Sequence, residues 1–148
     1  MASASESTVA VINGPNMNWL GKREPEIYGH TTLVELEQEL IAAGKAQGIE
    51  VRCFQDNHEG AIVDHIYALA AEGITDMIIN AGAYTHTSVA IRDALSSVGA
   101  RFIEVHISNV YRRESFRHHS YLSDIAEGVI VGCGIRGYHL AIAWFAQS

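Results

Sequence analysis

The chain has 148 residues, enough for one domain with a substantial buried core. Apolar residues make up 48 % and charged residues 18 %, which excludes a disordered or low-complexity chain. A net charge of −7 argues against nucleic acid as a partner. The arginines nonetheless cluster: Arg112, Arg113 and Arg117 stand beside His118 and His119, a cationic patch suited to a small anionic ligand. Met1 to Thr8 has neither the basic nor the apolar region of a signal peptide, and no apolar run approaches the ~20 residues that span a bilayer. Cys53 and Cys133 lack metal-ligand spacing. The expectation is a soluble cytoplasmic protein with free thiols, no membrane association and a disordered tail over residues 1–8.

Val9 to Asn13 reads as a β-branched strand ended by Gly14-Pro15-Asn16. The segment from Asn16 to Thr31 carries Gly21, Pro25 and Gly29 and has no helical or alternating period, so a long functional loop is expected there. Thr32 and Glu35 have capping-box spacing. The helix they open should bury Leu33, Leu36, Leu40 and Ile41 and stop at Gly48. A second strand follows over Ile49 to Phe54, then a second helix over Ala61 to Ala71, closed by Gly73.

From Asp76 to Leu95 the chain reads as a buried strand, a polar turn and a helix start. Met77, Ile78 and Ile79 are continuous apolar residues, as in a central strand covered on both faces. Thr87 or Ser88 is the N-cap of a helix that begins Val89, Ile91, Leu95. Phe102 to Ile107 is a fourth strand, with Glu104, His106 and Ser108 alternating to one side. Asn109 to Asp124 is polar and irregular, Gly128 to Val131 a fifth strand, and Tyr138 to Phe145 part of a final helix.

This alternation predicts an α/β fold, a flavodoxin-like three-layer sandwich with a five-stranded parallel sheet in the order 2-1-3-4-5. Ligands of such sheets bind beyond the carboxyl ends of the strands. Asn13, Asn16, Asn80, His86, His106 and Ser108 gather at that edge, overlooked by Arg23 and Tyr28 on one segment and Arg113 and Arg117 on another. Such a set suits proton transfer on a hydroxylated carboxylate, with His and Tyr as acid and base.

Other readings are weaker. Gly132-Cys-Gly134-Ile-Arg-Gly137 has the G-x-G-x-x-G form, but the chain ends too soon after it for the strand and acidic residue a dinucleotide site needs. A tight turn with close helix packing accounts for it. His118 and His119 are adjacent and cannot share a helical face, so no metal is expected. No G-x-S-x-G elbow is present. The two lysines, Lys22 and Lys45, lie in the loop and on an exposed helix face, positions that do not suit a Schiff base. A binding or regulatory module that keeps the fold without chemistry is the competing class.

Five segments carry a resemblance: Asn13-Gly-Pro-Asn16, Arg23-Glu-Pro-Glu-Ile-Tyr28-Gly, Gly82-Ala-Tyr-Thr-His86 through Asp93, Ile103 through Asn109, and Phe116-Arg117-His-His-Ser120. In order and spacing they resemble type II 3-dehydroquinate dehydratases from about Val9 to the last helix. The resemblance implies one domain over residues 9–148 with a lid at about 17–31. It implies conversion of 3-dehydroquinate to 3-dehydroshikimate by trans elimination of water through an enolate, without metal, cofactor or Schiff base. It leaves open aromatic biosynthesis and quinate breakdown, which share the step.

By the same match Tyr28 is the base, acting as a phenolate. An ordinary tyrosine is ionised only about one part in a thousand at neutral pH, and Arg23 matches the arginine that stabilises the anion. His106 matches the acid that protonates the leaving hydroxyl, with Glu104 orienting it, and Asn16 the residue holding a water for the enolate. Ile107 and Ser108 match the carboxylate cradle, and Asn80, His86 and Arg117 the residues that grip the ring hydroxyls. Asp93 matches a residue supplied to a neighbouring subunit, in trimers assembled into a dodecamer. Met17, Trp19, Asp56, Tyr111 and Ser115 depart from the family's usual residues, and none of them carries an assigned chemical role.

Overall fold

The computed structural model describes residues 7–147. Five strands, β1 (Ser7–Asn13), β2 (Ile49–Gln55), β3 (Asp76–Asn80), β4 (Arg101–His106) and β5 (Gly128–Val131), form one sheet. The order is β2-β1-β3-β4-β5 and every pairing is parallel, as the alternation of elements predicts. Between them lie α1 (Pro25–Tyr28), α2 (Leu33–Ala46), α3 (Glu59–Ala71), α4 (Val89–Ser97) and α5 (Arg136–Ala146). The first strand starts at Ser7, so Ser7 and Thr8 belong to the sheet and not to a tail. The rest of the expected tail lies outside the described residues.

Strand alternation divides the apolar residues between two cores. Val9, Val11, Ile78, Ile103 and Val105 face α2 and α5, meeting Leu36, Leu40, Tyr138 and Ile142. Ala10, Ile12, Met77, Ile79 and Phe102 face α3 and α4, meeting Ile62, Ile66, Ile91 and Leu95. Burial of such side chains contributes about 1.5–3 kcal/mol each, and this two-sided covering explains why β3 is apolar without alternation. Two residues expected in the apolar stripes stay out: Ile41 is 46 % and Val89 50 % exposed. Ile41 follows Leu40 by one residue, a rotation of ~100° that carries it past the edge of the buried stripe.

Caps form as their spacing requires. Glu35 N–H donates to Thr32 Oγ1 at 3.2 Å while Thr32 N–H donates to Glu35 Oε1 at 2.9 Å, the full capping box. Of the two candidates before α4, Ser88 is the cap, accepting from Ile91 N–H at 2.9 Å. The G-x-G-x-x-G segment is a turn: Gly132 and Gly134 take φ of 85° and 63° between β5 and α5. A Cβ on Gly137 would lie 3.2 Å from Ile130 Cγ2, so its absence lets α5 close on the sheet. The segment expected to be irregular holds a 3₁₀ turn, Met17–Trp19, and the short α1, which starts on Pro25. Trp19 is 54 % exposed there, with Lys22 Nζ 4.9 Å from its ring centre.

At the carboxyl edge, Asn13 and Asn80 are register partners on neighbouring strands. The loops that follow them touch. Gly14 N–H donates to Asn80 O at 2.8 Å, and a Cβ on Gly14 would fall 2.4 Å from Ala81 O. Only glycine permits this approach, which closes the floor of the cleft between β1 and β3.

Candidate active site

A cleft of about 240 Å³ opens at the carboxyl ends of β1, β3 and β4. Asn16, Arg23, Tyr28, Asn80, His86, His106, Ile107, Ser108 and Arg117 all line it, together with Arg113 and the apolar Pro15, Met17 and Val110. The topology brings these residues together from segments up to a hundred positions apart. Two of the expected residues lie elsewhere. Glu104 is completely buried behind His106, and Asp93 is exposed on α4, outside the cleft.

The centre of the cleft wall is β4. Glu104 and His106 sit two apart and so project to the same side, and His106 Nε2 lies 2.5 Å from Glu104 Oε2. Ser120 Oγ donates to the same oxygen at 2.9 Å and Ser123 Oγ to Oε1 at 2.7 Å. Burial pushes the Glu104 carboxyl up, but hydrogen bonds from His106, Ser123 and Ser120 and the nearby His106 charge outweigh it. The net effect holds Glu104 below the usual carboxylate range, as a buried anion. His86 stands across the cleft, its ring 6.4 Å from that of His106 and nearly parallel. Its Nδ1 donates to His119 O at 2.8 Å, which leaves Nε2 as an acceptor in the neutral ring. Burial, with the nearby charges of His106 and Arg117, lowers the proton affinity of His86, against the hydrogen bond to His119.

Tyr28, at the end of α1, has the Arg23 and Arg113 guanidinium groups over its ring, 5.1 and 5.6 Å from the centroid, and Arg113 also reaches the phenol oxygen. Arg113 Nη1 donates to the phenol oxygen at 2.7 Å and lies 3.3 Å from Ser108 Oγ. The Arg23 guanidinium lies over the ring face, 5.1 Å from the centroid, and pairs with Glu24 at 3.5 Å. Arg23 is the arginine that the resemblance implies for stabilising the anion, and the hydrogen bond to the phenol oxygen comes from Arg113. Arg113 was visible in the arginine cluster but had no role, because nothing in local spacing joins residues 28 and 113.

Three polar residues form the floor. Tyr138 on α5 is fully buried, donates to Asn13 Oδ1 at 2.5 Å and accepts from Asn80 Nδ2 at 2.9 Å. Asn80 Oδ1 accepts from Gly82 N–H at 3.1 Å. The amide of Asn80 is thereby held in one orientation, and burial pushes the Tyr138 phenol well above its usual range. Sequence reasoning missed Tyr138, although a tyrosine in an apolar helix stripe signals a buried hydroxyl in need of partners. Asn16 adopts φ of 70°, a left-handed conformation uncommon outside glycine, with its N–H donating to Asn57 Oδ1 at 2.9 Å. Arg117 donates from Nε to Glu114 at 2.8 Å.

Among the described residues no group of three or more His, Cys, Asp or Glu side chains is arranged to hold a metal ion. Neither lysine lines the cleft; both are exposed. Among the same residues no helix is long and apolar enough to cross a membrane.

The family model for dehydroquinase class II matches residues 7–146. The chain belongs to the class II dehydroquinases. It is 58 % identical over 148 residues to 3-dehydroquinate dehydratase 1 of Ralstonia nicotianae, covering 100 % of this chain and 94 % of that protein. It is 59 % identical over 142 residues to the 3-dehydroquinate dehydratase of Acinetobacter baumannii, covering 96 % and 94 %. The crystal structure of the type II dehydroquinase from Butyrivibrio crossotus superposes with a TM-score of 0.93 at 49 % identity, over 97 % of this chain and 99 % of that one. All of the cleft-forming segments of this dehydroquinase fall within the matched residues.

Proposed function

We propose that this dehydroquinase converts 3-dehydroquinate to 3-dehydroshikimate and water by trans elimination through an enolate. The observation that carries the reading is the pairing across one cleft of a phenol held by a guanidinium and an imidazole backed by a buried carboxylate. In the first step the Tyr28 phenolate removes a proton from the carbon α to the ketone, and the electron pair moves onto the carbonyl oxygen. In the second the enolate re-forms the ketone, the new C=C bond forms, and the C–O bond to the β-hydroxyl breaks. His106 delivers a proton to that oxygen as it leaves, so the products are the enone and water. Tyr28 ends protonated and His106 deprotonated, and exchange with solvent resets both.

The other residues take positional roles. Arg113 stabilises the phenolate through its oxygen and Arg23 through the ring face. Asn16 holds a water against the enolate oxygen, and Ile107 and Ser108 cradle the substrate carboxylate. Asn80, His86 and Arg117 grip the ring hydroxyls. Because Tyr28 and Arg23 lie on the segment between β1 and α2, movement of residues 17–31 as a lid assembles the pair and excludes water. Asp93, exposed and away from its own cleft, completes a neighbour's site in a trimer, and four trimers make a dodecamer. Free Cys53 and Cys133 suit a reducing cytoplasm, and burial, with the Glu37 charge, pushes the Cys53 thiol up to about 12, leaving it unreactive.

Adding 3-dehydroquinate and following the ultraviolet absorbance of the conjugated enone tests the activity. A rise proportional to enzyme is expected, and none at high enzyme concentration leaves the competing binding-module reading. Borohydride with substrate should leave activity intact; irreversible loss would reveal an imine and contradict the mechanism.

A further inference from the structure

The polar cluster behind His106 contains two serines to which the proposed mechanism gives no role. Both come from the connector between β4 and β5, 16 and 19 residues downstream of Glu104, and both hydroxyls end on its carboxylate. A serine hydroxyl has one proton to give and two lone pairs to fill. Ser120 Oγ already accepts from Leu122 N–H at 3.0 Å and Ser123 N–H at 3.1 Å. Its lone pairs are therefore filled by groups that can only donate, and its single proton has to point at Glu104 Oε2. With Ser123 on the other oxygen, both ends of a carboxylate without solvent contact receive a hydrogen bond besides the one shared with His106.

This has a consequence for the imidazole. A buried carboxyl group left without donors takes up a proton rather than bear an unsolvated charge. In that state Glu104 would donate to His106 Nε2, and the remaining imidazole proton would sit on Nδ1 of a neutral ring, a very weak acid. With Glu104 kept as the anion, Nε2 carries a proton donated to the carboxylate, and the ring can bear a second, acidic proton on Nδ1. The same space is faced by His86 from the turn after β3 and by Arg117 and His118 from the β4–β5 connector. Val129 and Val131 of β5 close it with apolar surface; Thr85 and Tyr111 also line it, but the hydroxyls that reach Glu104 are those of Ser120 and Ser123.

We infer that Ser120 and Ser123 are positioning residues of the reaction, a hydroxyl clamp that holds Glu104 as the carboxylate and through it keeps His106 in its proton-donating form. The inference rests on the proposed role of His106 as the acid.

The test compares Ser123→Ala, Ser120→Ala/Ser123→Ala and Ser123→Thr, each in the wild-type and in the His106→Asn background, with folding checked by circular dichroism. Hydrogen bonds to charged groups contribute ~1.5–3 kcal/mol, so the double serine variant should lose at least about 10- to 150-fold in kcat with KM within about twofold. Ser123→Thr, which keeps the hydroxyl, should stay near wild type. In the His106→Asn background the serine changes should cost nothing further. Proton NMR gives a second reading that does not depend on turnover: the downfield, exchange-protected His106 Nε2–H resonance should move or vanish in Ser123→Ala. Where the double variant does not fold, Ser123→Ala carries both readings.

Unchanged kcat and an unmoved resonance in the folded serine variants would overturn the clamp alone. So would an equal loss in the His106→Asn background, since the serines would then act structurally. Wild-type kcat in His106→Asn itself would remove the acid assignment and the clamp with it.

Discussion

Replacing Arg113 by Met should damage turnover more than the same change at Arg23. Arg113 donates to the Tyr28 oxygen at 2.7 Å, and its side chain is only 16 % exposed. Arg23 lies 5.1 Å from the ring centre with 35 % exposure and a carboxylate partner in Glu24. A hydrogen bond to a charged oxygen in a sheltered site contributes ~1.5–3 kcal/mol, which converts to about a 10- to 150-fold loss in kcat for Arg113→Met. A cation over a ring contributes ~0.5–2 kcal/mol, and its exposure places Arg23→Met towards the lower end, about 2- to 5-fold. Arg113→Lys should recover part of the loss, because it keeps the charge but not the planar fork. Initial rates from enone absorbance at saturating 3-dehydroquinate give all three values. A larger loss for Arg23→Met than for Arg113→Met would reverse the two roles, because Arg23 would then be the one that holds the anion.

Tyr138→Phe should lower stability by about 2–5 kcal/mol, since it strips a donor from Asn13 Oδ1 and an acceptor from Asn80 Nδ2 in a dry interior. Asn13 Nδ2 has no partner already, so pairing the change with Asn13→Leu should recover part of the loss in a urea titration. Acid should weaken the fold through Glu104. Its folded carboxyl lies below the ordinary value of 4.5, so the unfolded chain binds more protons in that interval, and stability falls as pH drops from about 4.5 through the folded value. Glu104→Gln should flatten that slope between pH 5 and 3, roughly the titration range of carboxylates, in denaturation curves. Light scattering should report a dodecamer for the wild type, and Asp93→Ala should retain that size while raising KM; unchanged KM would remove Asp93 from the neighbour's site.

Much of the sheet was legible because each strand announces itself locally. Gly128 to Val131 is a β-branched run after a glycine, and the Thr32–Glu35 box marks the start of α2 to the residue. The parallel order then gathers the strand ends, so Asn80, His106 and Ser108 came to one edge without knowledge of their contacts. Long-range pairing was not legible. Tyr138 meets Asn13 across 125 residues, and Arg113 meets Tyr28 across 85, distances over which spacing carries no signal. The resemblance pointed to Arg23 as the partner of the phenol, and only packing distinguishes the ring face from the oxygen. Ser120 stood within a quoted motif, yet its role depends on two backbone N–H groups that fill its lone pairs. The outward turn of Ile41 and Val89 reflects how narrow the buried stripe of each helix is.

The assignment of Tyr28 as the base stands or falls with Tyr28→Phe, because the change removes one oxygen and leaves the ring between the two arginines. With 3-dehydroquinate at saturation kcat should be at least about 10²- to 10⁴-fold lower, the span of a general base, with substrate affinity by calorimetry within a few-fold of wild type. A kcat close to wild type in the folded variant would contradict it and place the base elsewhere in the cleft.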